Sequence, residues 1–150
     1  MKNSDVIERH IISVLVDNEP GVLARVIGLF SGRGYNIESL TVAEVDIRKH
    51  LSRISIVTSG TPMVIEQIKS QLARLIPIHS VRDLTEMGAS IERELALIKI
   101  INNGDERIEA LRIADTFRAR TLDSTLKSFV FEITGTSSKV AAFIDLMRSL

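Results

Sequence analysis

The chain has 150 residues, enough for one domain of ordinary size or two small ones. Its 45% hydrophobic and 25% charged residues predict a packed globular core rather than disorder, and 19 basic residues balance 19 acidic residues. A module that binds duplex nucleic acid normally carries a basic excess, so the zero net charge argues against nucleic acid as a partner.

The cysteine content and the hydropathy of the sequence indicate what kind of protein this is and where it is located. The absence of cysteine excludes disulfides and thiolate metal sites. The N-terminal segment MKNSDVIERH lacks the apolar run of a secretory signal, and no stretch approaches the ~20 apolar residues of a membrane span. We therefore expect a soluble, cytoplasmic protein with no membrane partner.

The first 85 residues follow the pattern βαββαβ. HIISVLV is a β-branched apolar run typical of a central strand, and the turn DNEPG follows it. Apolar residues at helical spacing then predict a helix that ends at the glycines of SGRG. YNIESLTVAEVD and LSRISIVTSG predict two strands around the hairpin IRKH. Thr61 is the expected N-cap of a second helix that ends at Pro77, before the strand IPIHSVRDLT.

Residues 86–150 repeat the pattern without its last strand. ELALIKI predicts a strand, NNGD a turn, RARTLDS and LKSFVFEITG a strand pair, and TSSKVAAFIDLMRSL a final helix. The helix after NNGD is marked by apolar residues at helical spacing: Ile108, Leu111, Ala114 and Phe117. The strings IVTSGTPMVIEQI and EITGTSSKVAAFI support an internal repeat. We predict an α+β protein with two ferredoxin-like units, residues 1–85 and residues 86–150.

The turn DNEPG and the helix after it form a candidate binding site for an anion. A helix N-terminus presents unpaired N–H groups and the positive end of the macrodipole, and Gly21 lets a ligand approach the backbone closely. Asn18 can cap the turn or contact a ligand, and the carboxamide oxygen of Asn36 can accept a hydrogen bond from an ammonium group near Ile37. These groups suit an amino acid with an apolar side chain. The same residues also begin many helices that bind nothing, so a purely structural turn stays open.

Other site types have less support in the sequence. His10, His50 and His79 are far apart and have no acidic or histidine neighbours at ligand spacing, so no metal site is expected. A hydrolase of the acylphosphatase type would bind phosphate in the first loop and needs an arginine beside it, but Arg25 lies one turn into the helix. A stand-alone amino-acid sensor that controls another enzyme or a transcription factor would keep the same turn.

The string SVLVDNEPGVLARVIGLFSGRGYNIESLTVAEVD resembles the N-terminal ACT domain of the small, regulatory subunit of acetohydroxyacid synthase, also called acetolactate synthase. LSRISIVTSG, VRDLT, ERELALIKI and FEITGTSSKVAAFIDLMR match the same family in order, so the resemblance covers residues 10–150. It implies a subunit with no catalytic site and no cofactor of its own. That subunit binds and activates a large subunit that carries thiamine diphosphate, magnesium and FAD and condenses two pyruvates, or pyruvate and 2-oxobutyrate, in branched-chain amino-acid biosynthesis.

The resemblance also implies an effector site between two chains. ACT domains of this family pair side by side as a homodimer, and valine, sometimes leucine or isoleucine, binds at the dimer interface as a feedback inhibitor. The backbone N–H groups of Val22 and Leu23 are then expected to bind the carboxylate, and Asn36 to reach a ligand held mainly by the partner's turn. Family members generally continue past MRSL with a segment that completes the second unit. The effector-contacting positions correspond in this sequence to Asn18, Gly21, Val22, Leu23, Asn36 and Ile37.

Overall fold

The computed structural model describes residues 6–101 and 103–150, and the chain divides into two compact units. Unit 1 extends to Ser90 and unit 2 is Ile91–Leu150, so the division falls inside the polar segment EMGASIER. Each unit is a small antiparallel sheet with two helices, which confirms the predicted α+β, ferredoxin-like fold class.

Unit 1 has one sheet face covered by helices and one open face. Its strands hydrogen-bond in the order β2-β3-β1-β4, and every neighbouring pair is antiparallel, so β2 and β4 are the edges. In β1, Ile12 and Val14 are fully buried on the helix side, whereas Ser13 and Leu15 lie on the open face. The elements of unit 1 are β1 (Glu8–Asp17), α1 (Val22–Arg33), β2 (Ser39–Asp46), β3 (Leu51–Gly60), α2 (Pro62–Ala73) and β4 (Ile78–Asp83).

Capping residues set the ends of the helices in unit 1. Gly34 follows α1 with φ +69°, the left-handed conformation that glycine adopts readily at this position. Thr61 is the N-cap of α2, as predicted, and its hydroxyl accepts a hydrogen bond from the N–H of Val64. The prediction that Pro77 ends α2 is wrong. The helix stops at Ala73, because the next N–H groups bond to carbonyls three residues back and tighten the last turn.

Unit 2 is a three-stranded sheet with the strand order β5-β7-β6. Among its described residues no strand follows the last helix, so the unit is βαββα, as the sequence predicts. The first strand of unit 2 is therefore an edge strand, whereas the first strand of unit 1 is central. The elements of unit 2 are β5 (Glu94–Ile101), α3 (Asp105–Thr116), β6 (Arg120–Ser124), β7 (Ser128–Gly135) and α4 (Ser137–Arg148).

The two units have separate cores of different chemistry. The core of unit 1 is mainly aliphatic, with Phe30 as its one fully buried ring among the described residues. In unit 2 the ring of Phe131 lies 5.4 Å from Phe129 and 6.3 Å from Phe143, measured between centroids. Such tilted and edge-on pairs stabilise a small core beyond the area that they bury.

Helix α3 turns a different side to the core than its large residues suggest. Ile108 is 61% exposed and Leu111 is 41% exposed, although both mark the helical spacing in the sequence. The buried positions of α3 are the small residues Ala110 and Ala114. Alanine allows a close approach of the helix to the aromatic core, and the aromatic side chains of β7 and α4 supply the volume there.

Candidate functional site

The turn between β1 and α1 leaves the start of the helix open. Gly21 is the N-cap residue with φ +86° and ψ −9°, a conformation that side chains disfavour. No side chain caps α1, and its first turn contains no acidic residue. No described atom outside Gly21 and its two chain neighbours lies within 4 Å of the position that a Cβ on Gly21 would take. The positive end of the helix dipole is therefore available to an external anion.

Asn18 holds the turn against the neighbouring strands rather than capping the helix. Its backbone N–H donates to the carbonyl of His50 at 2.7 Å, and its side-chain amide donates to the carboxylate of Glu44 at 3.2 Å. The Asp17 carboxylate lies 2.6 Å from Nε2 of His79. These contacts tie the turn to β4 and to the end of β2.

A hollow of about 60 Å³ lies beside the turn. This hollow is small compared with the roughly 300–1,000 Å³ of typical small-molecule sites. Its polar rim consists of Asp17, Asn18, Glu19 and Ser52. The apolar part of the lining is Val16, Val22, Leu23, Val42 and Ile54.

The predicted site residues form two groups that a single chain keeps apart. Asn18, Gly21, Val22 and Leu23 share the turn and the first residues of α1, whereas Asn36 and Ile37 follow the far end of that helix. A helix of 12 residues is about 18 Å long, so the two groups cannot contact the same amino acid within one chain.

Asn36 lies before β2 and not in it, so the prediction that it opens this strand is wrong. The ladder between β2 and β3 begins only at the pair Ser39 and Val57. Before that point, the carbonyl of Asn36 accepts a hydrogen bond of 2.6 Å from the hydroxyl of Thr58, which holds the backbone in place without strand pairing. The Asn36 side chain is exposed, and Ile37 packs against the core of unit 1.

A buried histidine cluster was missed by the sequence analysis. His10 is 6% exposed, with Nδ1 2.7 Å from the carboxylate of Asp83 and Nε2 3.2 Å from that of Glu8. Burial by itself lowers the pKa of His10, but the hydrogen bonds to Glu8 and Asp83 and the charges of these carboxylates outweigh it, so the pKa lies above its ordinary value. The expectation that His10 has no acidic neighbour is therefore wrong.

Lys69 completes this cluster from α2. Its ammonium lies 2.8 Å from Glu86 and 3.6 Å from Asp83, and it also pairs with Glu66. Burial lowers the pKa of Lys69, but the hydrogen bonds to Glu66 and Glu86 raise it above its ordinary range. Ligand atoms of His10, Asp83 and Glu86 lie within 4.8 Å of one another, a spacing that a metal ion could use. In this structure the positive charge beside Asp83 and Glu86 is the ammonium group of Lys69.

Sequence reasoning could not find this cluster from spacing. His10 and Asp83 are 73 residues apart, and they meet because β1 and β4 pair antiparallel with Ile12 opposite Asp83. The available signal was the polarity of a histidine next to the apolar run of a central strand, since a buried imidazole needs hydrogen-bond partners.

Two family models cover most of the chain. Residues 12–80 match the AHAS small subunit-like ACT domain, and residues 93–150 match the small subunit of acetolactate synthase.

No helix among the described residues combines the length and apolar character that crossing a membrane requires.

Individual relatives extend over nearly the whole chain. The probable acetolactate synthase small subunit of Archaeoglobus fulgidus is 50% identical over 93% of this chain and 86% of its own length. The acetolactate synthase isozyme 3 small subunit of Escherichia coli is 46% identical over 95% of this chain and 86% of its own. The crystal structure of the acetolactate synthase small subunit from Thermotoga maritima superimposes with a TM-score of 0.81 and 39% identity, covering 93% of this chain and 86% of that chain. The chain therefore belongs to the family of acetolactate synthase small subunits, with an ACT domain in unit 1.

Proposed function

We propose that this chain is the non-catalytic regulatory subunit of acetolactate synthase and that it makes the synthase sensitive to valine. It binds a catalytic large subunit, raises the activity of that subunit and carries the effector site. The large subunit supplies thiamine diphosphate, magnesium and FAD. Family membership supports the regulatory role. The observation that carries the effector site is the uncapped start of α1, whose first turn has no acidic residue, beside a partly apolar hollow.

Exposed apolar residues near the turn support a homodimer through unit 1. β2 is an edge strand with one unpaired side, and its Val42 and Val45 side chains are each 45% exposed. On α1, Leu23 and Ile27 are 38% and 39% exposed. An edge strand with exposed apolar side chains is a surface that another strand can pair with and cover.

Pairing of two β2 strands also explains how the separated site residues meet. Strands related by a twofold axis in one sheet run antiparallel, so the residues before Ser39 of one chain lie beside the residues after Asp46 of the other. Asn18 is at that end of β2, because its N–H donates to the carbonyl of His50. A dimer paired in this way has Asn36 near the partner's turn, which supports a site shared by the two chains.

Valine fits this shared site through its three kinds of group. Its carboxylate accepts hydrogen bonds from the N–H group of Leu23 and from that of Val22, which in the free chain makes a long bond of 3.4 Å to the Glu19 carbonyl. Each charge-assisted bond contributes about 1.5–3 kcal/mol. Its ammonium group donates to the carboxamide oxygen of Asn36 from the other chain. The isopropyl group packs in the apolar hollow near Val42 and Ile54. Since one methylene is worth only about 1–3 kcal/mol in such a pocket, leucine and isoleucine are expected to act at higher concentrations.

Inhibition then follows from linkage between binding and quaternary arrangement. An amino acid that bridges two chains binds one arrangement of the assembly more tightly than another, and it shifts the population by that difference. A coupling free energy of about 1–3 kcal/mol is sufficient for a change of several-fold in the activity of the large subunit.

Reconstitution tests the proposal directly. The purified chain is mixed with the acetolactate synthase large subunit of the same organism, and acetolactate formation is measured with and without valine. We expect stimulation by the chain and inhibition by valine only in its presence. Valine binding without any effect on the synthase would instead favour the stand-alone sensor, and hydrolysis of an acyl phosphate by the chain alone would favour the hydrolase.

The variant Gly21→Asp tests the location of the effector site. It places a negative charge where the valine carboxylate binds. The space at Gly21 is open, but the positive φ strains any side chain there, and a comparison with an uncharged residue of the same size controls for this strain. We expect half-inhibition to need at least tenfold more valine while stimulation is retained. Gly21→Asn, which has the same size without the charge, is expected to keep more of the valine response. Unchanged inhibition in the Asp variant would place the effector elsewhere.

A further inference from the structure

The open face of the unit 1 sheet carries a second hollow, of about 330 Å³. It lies on the opposite side of the sheet from the helices, whereas the effector hollow includes the helix-side residues Val16, Val22 and Ile54. Its volume is at the lower end of the range found for small-molecule sites. Two leucines, Leu15 and Leu84, border it, and its polar lining consists of Ser13, Arg53, Ser55, Ser80 and Arg82.

Strand register arranges these residues in two rows across β3, β1 and β4. Ser13 lies opposite Ser55 on one side and Arg82 on the other. Two residues further along β1, Leu15 lies opposite Arg53 and Ser80. The two arginines thus occupy diagonal corners, with Cα atoms about 12 Å apart by standard strand spacings. Two arginine side chains can reach a common group across this distance.

Both arginines lack a partner for their charge within the described part of the chain. Neither guanidinium forms an ion pair or a side-chain hydrogen bond with any described residue, and the hydroxyls of Ser13, Ser55 and Ser80 are likewise without protein partners. None of the described lining residues is a carboxylate. The nearest acidic side chain along this face of β1 is Asp17, which is paired with His79. The described part of this face therefore has hydrogen-bond donors and positive charge with no carboxylate to pair with them.

We propose that this hollow binds the phosphate group of a small molecule. A guanidinium donates two parallel hydrogen bonds to a phosphate, and serine hydroxyls can donate to the remaining oxygens. The diagonal arginines suit a group with charge on both ends, so pyrophosphate is expected to bind more tightly than inorganic phosphate. Because the concave surface is bordered by leucines, an attached apolar portion of the molecule packs beside the phosphate.

Calorimetric titration of the intact chain in a chloride buffer provides the test. We expect saturable binding of pyrophosphate at one site per chain, weaker binding of inorganic phosphate, and still weaker binding of the dicarboxylate succinate. Arg53→Gln and Arg82→Gln are each expected to weaken pyrophosphate binding at least tenfold. Arg74→Gln is the matched control and should leave binding unchanged, because Arg74 is an exposed arginine at the end of α2 with no ion pair to any described residue. The thermal unfolding midpoint of each variant verifies that the fold is intact.

Several results would overturn the proposal. These are titrations without saturation, retention of binding in the double variant Arg53→Gln/Arg82→Gln, or an equal loss in the Arg74 control. Tighter binding of succinate than of phosphate would show that the site prefers carboxylates, and the proposed ligand class would be wrong. If the double variant lost the large subunit but the parent chain bound no phosphate, the face would belong to an acidic protein partner instead. Valine binding should be unchanged in the three single variants and in the double variant, which separates this site from the effector site.

Discussion

The first helices of the two units begin alike and offer different surfaces to a ligand. Both α1 and α3 follow the first strand of their unit and have an N-cap glycine with positive φ, +86° at Gly21 and +60° at Gly104, and neither has a side-chain cap. The first turn of α1 has no acidic residue, whereas α3 opens with Asp105 and Glu106. The carboxylates of α3 complement its own dipole, whereas the first turn of α1 has no carboxylate to do so.

The second helices of the two units show the opposite behaviour. Both α2 and α4 begin after a threonine, Thr61 or Thr136, whose hydroxyl accepts a hydrogen bond from a backbone N–H of the first turn. These helix starts are satisfied within the chain. The four helices therefore differ in how their first turns are stabilised. α2 and α4 have a threonine cap and α3 has two acidic residues, whereas α1 has neither.

The largest expected effect comes from the core of unit 2. Phe131→Ala removes a fully buried ring that contacts Phe129 and Phe143, and such changes cost about 3–5 kcal/mol. Because the units have separate cores, hydrogen exchange should show β5 and β7 losing protection while β1 and β3 keep theirs. Equal loss of protection in both units would show that they unfold together.

An acidic residue introduced into the first turn of α1, as in α3, tests whether the helix dipole contributes to the proposed effector site. Leu23→Glu places a carboxylate at the second helical position, where α3 has Glu106, and Leu23 is exposed enough to accept it. We expect about a tenfold weaker response of the reconstituted synthase to valine, because the carboxylate competes for the helix dipole. Leu23→Gln controls for the lost apolar contact. Equal effects of Glu and Gln would contradict the electrostatic explanation.

The threonine caps should contribute equally in the two units. Thr61→Ala and Thr136→Ala each remove a side-chain acceptor for an N–H of the first turn, that of Val64 and that of Lys139. A loss of about 1 kcal/mol in the free energy of unfolding is expected in each case, measured by urea titration. Serine at either position should restore most of the loss, and an alanine variant as stable as the parent would refute the capping role.

The smallest expected effect is a pH dependence confined to unit 1, because all three histidines of the chain precede residue 91. The pKa of His10 is higher in the folded chain, since Glu8 and Asp83 face the ring, with Lys69 3.6 Å from Asp83. This stabilisation is full below the unfolded pKa and is lost as pH rises through the folded pKa. Exchange of β1 amides should therefore accelerate as pH rises from 6 to 8, after correction for the intrinsic rate. His10→Gln should remove this dependence, and persistence in that variant would assign it to another group.

Much of the architecture follows from local patterns in the sequence. β-Branched runs, the threonine before each second helix and the glycines around α1 lead to the correct order of elements and to the missing strand of unit 2. These signals suffice because helix caps and turn residues act on backbone groups only a few residues away. The turn with Asn18, Gly21, Val22 and Leu23 is visible for the same reason.

Tertiary structure decided what depends on distant segments. The pairing of His10 with Asp83, the burial of Ala110 instead of Ile108, and the separation of Asn36 from the turn at Gly21 arise from strand register and packing. So does the pattern of arginines and serines on the open sheet face. Sequence spacing reports neighbours within an element, whereas these contacts depend on which strands pair and on which side of each helix meets the core.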